Sequence, residues 1–373
     1  MQLMDANREW SSRPDDERYE TLETLGAAVH ARHARSRSYK GDLSALSVAA
    51  VPDGSGSDFR VRLGSGVEAR PTHWAFGQLA TSFGVPGGYL RTLPPALAMA
   101  NFEHAMTVAK RVTADPQPVK VLIQSPTQSD APARLMAVNS ADYGRIWDDQ
   151  VVALATHIRD RSDGTFHNPP DWSGKPSGLY ASDRDVFVFL VDGGSVLEEP
   201  GGFGHRPSAL HRGVILRNSE VGNGWFEAVA FLFRVVCGNH IVWDATDVAR
   251  RRIRHNRLAP EHFDREAYRV AAEHTRSFDP RPALAGITRA MQFALPAPEG
   301  ERVDWLTGLG QRAAKFTQAE AHSILATADQ EEGGSDTLWR VVQGATSIAK
   351  RLPHADMATD LSRRAGALMR LVA

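Results

Sequence analysis

The residues best suited to chemistry in this chain are arginines. Arg250, Arg251, Arg252, Arg254 and Arg257 crowd into one short segment, with His255 among them. A guanidinium is permanently charged, and its planar fork of donors matches pairs of phosphate oxygens. If residues 250–255 form a strand, Arg250, Arg252 and Arg254 share one face. Their spacing of ~6.5–7 Å is close to the reach between successive phosphates of an extended single strand. The same run also fits a solvated face balanced by Asp244, Asp247, Glu261 and Asp264.

A second candidate lies upstream. Residues 212–218 read as a strand with Val214, Ile215 and Leu216 in the core. Asn218-Ser219 stands where the chain turns, and Gly222-Asn223-Gly224 follows. Phe226, Val229, Ala230, Phe233 and Cys237 recur at helical spacing, which predicts an amphipathic helix from Trp225 to Cys237. Asn223 or Ser219 would cap it, and the free N–H groups of its first turn would suit a phosphate. The glycines equally suit a tight turn and nothing more. Arg234, inside the apolar stretch, is expected to be paired with a carboxylate or a ligand phosphate, and Asn239 is grouped with it as a coupling residue.

Other chemistries find little support. The turn lacks the third glycine of a dinucleotide fingerprint, and no GxxxxGK[ST] loop occurs, so no cofactor is expected. His30 and His33 have no flanking glutamate, HExxH is absent, and spacing alone does not join His205, His211, His240 and His255. Ser219 lacks a GxSxG context, and Cys237, the only cysteine, reads as a small buried hydrophobe. Asp148 and Asp149 are adjacent on a probable helix, so their side chains point different ways. No catalytic residue and no metal ligand is assigned.

The elements that must position these residues alternate between types. Residues 1–41 read as an arm with a helix near 19–36 and with Trp10 in its first segment. Strands are expected at 43–51 and 59–65 as a hairpin, then at 119–126, 134–139, 178–182 and 185–193, with helices over 71–110 and 145–160. A Gly/Pro-rich loop covers 193–208. From 263 onward the period is helical, and Leu338, Trp339, Val342, Ala345 and Ile348 fall on one face. The fold class is therefore α+β: a central antiparallel or mixed sheet with packed helices, over 42–258, followed by a helical domain over 259–373.

The totals set limits. With 43 basic and 44 acidic residues the net charge is −1, so any polyanion must be met by a local patch. A hydrophobic content of 42 % is enough for a proper core. The polar N-terminal segment is not a signal-peptide pattern, no apolar run is of membrane length, and one cysteine excludes an intrachain disulfide. A cytoplasmic home is expected.

Residues 211–257 resemble an uncharacterised family of phage- and plasmid-type bacterial proteins. The likeness is carried by Asn218-Ser219, Gly222, Phe233-Arg234-Val235-Val236-Cys237-Gly238-Asn239 and Ile253-Arg254-His255. Trp74–Leu93 and Asp336-Thr337-Leu338-Trp339 are weaker echoes. Many relatives read Asn-Ser-His-Asp-Gly-Ser at the turn; here Glu220-Val221 replaces the His-Asp pair, and His255 follows Arg254 without a spacer. The resemblance implies a mobile-element context and no established reaction. The expected function is non-catalytic binding of single-stranded nucleic acid by a homo-oligomer, in strand annealing or recombination. The alternatives are a metal-dependent nuclease or hydrolase, and a protein-interaction module in phage or plasmid conflict with the host.

Overall fold

The computed structural model describes residues 14–50, 59–112, 117–128, 131–169, 176, 178–198, 209–236, 239–243, 250–276, 281–308, 316–351, 361, 364–365 and 367–372. The fold is α+β, with two sheets and a helical C-terminal region.

The first helix, α1 (Leu22–Ala34), starts at a reciprocal Thr21–Thr24 capping box. It leads directly into β1 (Ser36–Asp42), which pairs antiparallel with β5 (Pro118–Gln124) at the edge of a six-stranded sheet. The expected N-terminal arm is thus built into the fold from α1 onward, while its first segment, with Trp10, lies outside the described residues. The sheet runs β1-β5-β6-β4-β3-β2, completed by β2 (Ser47–Ala50), β3 (Phe59–Arg62), β4 (Glu68–Pro71) and β6 (Ala133–Ser140). The β2–β3 hairpin matches expectation, and β4 beside β6 is the parallel pair that makes the sheet mixed. Helices α2 (His73–Ser82), α3 (Gly87–Leu90) and α4 (Pro95–Val112) cover one face. There Phe59, Phe76 and Phe102 meet with ring centroids 5.2–6.0 Å apart.

The second sheet follows α5 (Asp148–Arg161). Its order is β12-β11-β10-β9-β7, with β13 also paired to β11 and β8 to β9. The strands are β7 (Phe166–His167), β8 (Leu179–Ala181), β9 (Val186–Glu198), β10 (Ala209–Asn218), β11 (Phe226–Val236), β12 (Asn239–Trp243) and β13 (Arg250–Ile253). Residues 186–191 are buried on both alternations, as expected of a strand covered on both faces. β9 carries part of the expected 193–208 loop as strand, and 199–208 lies outside the described residues.

The expected helix from Trp225 to Cys237 is not formed: β11 occupies it. A run of phenylalanine, valine and alanine is apolar at a period of two as well as at 3.6, so periodicity does not separate the two. Aromatic and β-branched residues favour the pleated surface. The decision is tertiary, because β10 pairs along one edge of β11 and β12 and β13 along the other, satisfying its backbone groups. Arg234 and Asn239 lie in β11 and β12, while Cys237 lies outside the described residues, as do the side chains of Arg234, Asn239 and Arg250.

Helix α6 (Ala259–Arg276) packs on this sheet through Ala259, Phe263, Val270 and Ala271, with Phe263 edge-on to Phe226 at 4.9 Å. The C-terminal cluster is built from α7 (Arg281–Gln292), α8 (Glu299–Gly308), α9 (Gln318–Glu332) and α10 (Leu338–Arg351). As the pattern predicts, Leu338, Trp339, Val342 and Ala345 are fully buried on one face of α10, with Ile348 packed beside them. Gly344 sets how closely α10 approaches α9: a Cβ there would stand 2.5 Å from the Ile324 carbonyl oxygen and 2.9 Å from the Ala328 nitrogen. Both obstacles are backbone and cannot rotate away. Gly344→Ala should therefore lower stability by about 1–3 kcal/mol despite alanine's better helix propensity, measured as the urea midpoint of the helical far-UV signal.

Candidate functional site

The turn joining β10 to β11, residues 219–225, carries Ser219, Gly222, Asn223 and Gly224 of the candidate site, and its polar residues mainly hold the fold. Asn218 Nδ2 donates to the Ile146 carbonyl at 2.9 Å and to Asp148 Oδ1 at 2.7 Å. Ser219 Oγ donates to the Arg184 carbonyl at 2.6 Å and accepts from Asn223 N at 2.8 Å. The Val221 carbonyl accepts from Trp74 Nε1, Gln78 Nε2 and Asn139 Nδ2 at 3.2, 2.8 and 3.1 Å, and the Ser219 carbonyl accepts from the Tyr143 hydroxyl at 2.9 Å. Gly222 sits at φ 91°, where a Cβ would lie 2.9 Å from Asn139 Nδ2. Glycine is required there by both conformation and space.

The phosphate cradle expected at a helix start is thereby corrected. No helix opens here, the Gly222 and Asn223 N–H groups are taken by the Ser219 carbonyl and hydroxyl oxygens, and Asn218 and Ser219 are buried. Only Asn223, Gly224 and Trp225 face solvent.

Beneath the turn lies a group of charges that sequence reading did not assemble. Asp148 and Glu220 are buried, and both contact Arg32 of α1. Arg32 also donates to the Ser182 carbonyl, and Asp148 N to Glu220 Oε2 at 3.3 Å. Burial, and then the Glu220 carboxylate, push the Asp148 carboxyl well above its ordinary range, while Arg32 and Asn218 act the other way. Burial opposes the Arg32 charge, but Glu220 and Asp148 more than offset it and hold its pKa above the usual guanidinium value. The neighbouring Asp149 diverges, as helix geometry requires, and meets His33 Nδ1 at 2.7 Å, where that ring stacks on Trp147 at 3.8 Å. No sequence signal joins Arg32, Asp148 and Glu220, which are remote along the chain.

The arginine segment divides. β13 pairs with β11 so that Arg252 stands opposite Glu227, and Arg252 Nε donates to Glu227 Oε1 at 2.6 Å while its guanidinium lies 5.4 Å from the Trp225 ring centroid. Arg252 is therefore tied to a carboxylate, although it stays exposed. Arg254 lies just past the strand rather than in it, and both Arg254 and Arg257 are exposed. Arg251 and Arg254 line a groove of about 610 Å³ against α6, whose His262, Arg265 and Arg269 complete it. Those three α6 residues share one face at helical spacing, a signal the sequence carried but that the reading passed over. On the other side of Arg252 a cavity of about 760 Å³ is lined by Asn223, Gly224, Trp225, Arg217 and Arg184, with Glu17, Asp183, Asp185 and Glu227. The turn and the arginine segment thus meet through Arg252.

His255 does not join the arginines. It is buried, stacked on Tyr143 at 5.0 Å, with Nδ1 3.0 Å from the Gly144 carbonyl oxygen. Burial, and next the nearby Arg145 charge, bring its pKa down to about 4 against the Gly144 hydrogen bond. His211 Nδ1 lies 3.2 Å from the Asp192 carbonyl oxygen, and His205 is outside the described residues. Among the described residues no group of three or more His, Cys, Asp or Glu side chains could hold a metal ion, and no helix is long and apolar enough to cross a membrane. No family model matches the chain, and neither a curated protein nor a solved structure does.

Two outcomes follow from this geometry. Asp148→Ala leaves Arg32 paired with Glu220 but removes an acceptor from both Arg32 and Asn218 in the interior, and should cost about 1–3 kcal/mol in urea unfolding. For His255, a pKa near 4 in the folded chain against 6.5 as its ordinary value means that the unfolded chain binds more protons between those limits. Its stability contribution is complete above the window and is lost as pH falls through it. Wild type should lose about 2 kcal/mol between pH 7 and 5 from this group, and His255→Phe, which keeps a ring on Tyr143, should lose that much less over the same interval.

Proposed function

We propose that this chain binds single-stranded nucleic acid, without catalysing a reaction on it, along the groove between β13 and α6. The observation that carries the reading is the lining of that groove: Arg251, Arg252, Arg254, Arg265 and Arg269, against Glu266 as its one carboxylate. In a chain of net charge −1, this concentrates positive charge locally, as polyanion binding demands. Glu266 pairs with Arg269 at 3.2 Å and Glu227 with Arg252 at 2.6 Å, whereas among the described residues Arg254 and Arg265 have no carboxylate partner and keep the groove positive. Trp225, 52 % exposed beside Arg252, offers a face on which a base can stack. Recognition by permanent charge and stacking is tolerant of sequence, which suits strand annealing or recombination in a mobile element. Homo-oligomeric assembly along the strand belongs to the same proposal.

The test is fluorescence anisotropy with labelled single- and double-stranded oligonucleotides at two salt concentrations. Wild type should prefer the single strand and weaken steeply with salt, by a slope of about 0.7 for each phosphate contact. Arg254→Glu with Arg265→Glu should weaken binding by at least about tenfold and flatten the slope, with unchanged thermal unfolding. Absent or salt-independent binding by the wild-type chain overturns the proposal.

A further inference from the structure

We infer that the chain carries a second phosphate-binding site, built from His73, Arg91 and Arg184, and that it receives the far end of the same strand. This inference rests on the single-strand reading above. The site is a cavity of about 580 Å³ between α2, α3 and the β8–β9 turn. None of its lining side chains is acidic. Arg184 Nη2 lies 3.1 Å from His73 Nδ1, and Arg91 donates to the His73 carbonyl, so the two guanidiniums are drawn to one point. Among the described residues Arg184 forms an ion pair with Asp183, 4.0 Å from its Nε and shared with Arg134 at 3.5 Å, while Asp185 lies on its other side, towards the cavity that contains Trp225. Arg91 has no carboxylate partner among the described residues, and instead lies 4.7 Å from the Phe76 ring centroid.

Two like charges gathered beside one distant, shared carboxylate favour an anion. Burial, reinforced by Arg91 and Arg184, lowers the pKa of His73, so its ring is neutral and accepts from Arg184. Burial and then Arg184 likewise lower the pKa of Arg91, which a bound phosphate would reverse. The cavity is bare at Gly87 and Gly88, and Thr81 brings a hydroxyl that can donate to a phosphate oxygen, whereas the Ser82 hydroxyl is spent on the Gln78 carbonyl at 2.9 Å.

Connectivity identifies the ligand. Arg184 lines both this cavity and the one containing Trp225, and Arg252 lines both that cavity and the β13–α6 groove. Three recesses are therefore joined in series by two arginines; in the middle one an exposed tryptophan and Arg217 stand with Glu17, Asp183, Asp185 and Glu227, so the phosphate contacts fall in the two outer recesses. A free phosphate would need only the first recess, whereas a strand of several nucleotides would use all of them. The footprint runs from Arg265 and Arg269 at one end, past Trp225, to Arg91 at the other.

The test measures the affinity of oligothymidylates of about 5, 10 and 20 nucleotides, with inorganic phosphate as competitor. In wild type, affinity should rise with length beyond what the groove alone holds. Arg91→Gln with Arg184→Gln should weaken the longest strand by about tenfold and leave the shortest unchanged. Thr81→Glu, which replaces a hydroxyl with a negative charge at an exposed position, should do the same and guards against misfolding of the double variant. If both variants bind every length as wild type does, the second site falls while the groove stands. If millimolar phosphate occupies the site but strand length has no effect, the cavity serves a small anion and the inference is overturned. Failure of wild type to bind any oligonucleotide removes both readings.

Discussion

Arg32, Asp148, Glu220 and Asn218 meet in the interior, where an unpaired charge would cost several kcal/mol. Removing two carboxylates and a guanidinium from water is tolerable only while all of them stay in register. That requirement ties three distant pieces of chain to one place: α1 through Arg32, the start of α5 through Asp148, and the β10–β11 turn through Glu220 and Asn218. The same turn is held from the first sheet and its helices by Trp74, Gln78, Asn139 and Tyr143. The two sheets are therefore joined through hydrogen bonds to a single turn. An alternative packing of the turn would strand at least one buried charge, which selects one arrangement sharply even if the pairs add little net stability.

This use of the turn shapes what remains for binding. With the polar atoms of Asn218 and Ser219 committed inward, the outward surface of the turn is Asn223, Gly224 and Trp225. The same hydrogen bond from Ser219 holds the Arg184 backbone, so Arg184 is placed between two recesses by the joint that locks the sheets. β11 is a strand, so its N–H groups are spent on β10, β12 and β13 and present no dipole to a ligand. In the proposed reading, anion recognition falls to side chains carried on rigid elements: Arg252 on β13, Arg265 and Arg269 on α6, Arg91 after α3.

Much of the fold was legible from local pattern. The β2–β3 hairpin, β5, β6, α5, the buried β9 run and the apolar face of α10 follow from alternation, turn glycines and helical spacing, all of which act over a few residues. β1 was missed because Ser36–Asp42 is polar and only partly buried, with little hydrophobic alternation, and becomes a strand by pairing with β5. β11 was misread because its residues are apolar at both periods. In the candidate site, Arg252, Trp225 and the turn glycines stood out by type and spacing. Arg32, Asp148 and Glu220 carried no mark of their meeting, and His255 looked like a member of the arginine group until burial against Tyr143 separated it.

Sequence by itself determined the residue types: a local concentration of guanidiniums in a chain of balanced charge, a glycine where the β10–β11 turn needs a positive φ, and enough apolar periodicity for an α+β core. Tertiary structure decided which of those charges are spent internally and which face solvent. Charge and hydrogen-bonding capacity belong to a residue, but desolvation and partner choice belong to its surroundings. Arg32 and Arg254 are alike as side chains, and only the packing of α1 on α5 makes one a buried strut and leaves the other on the surface.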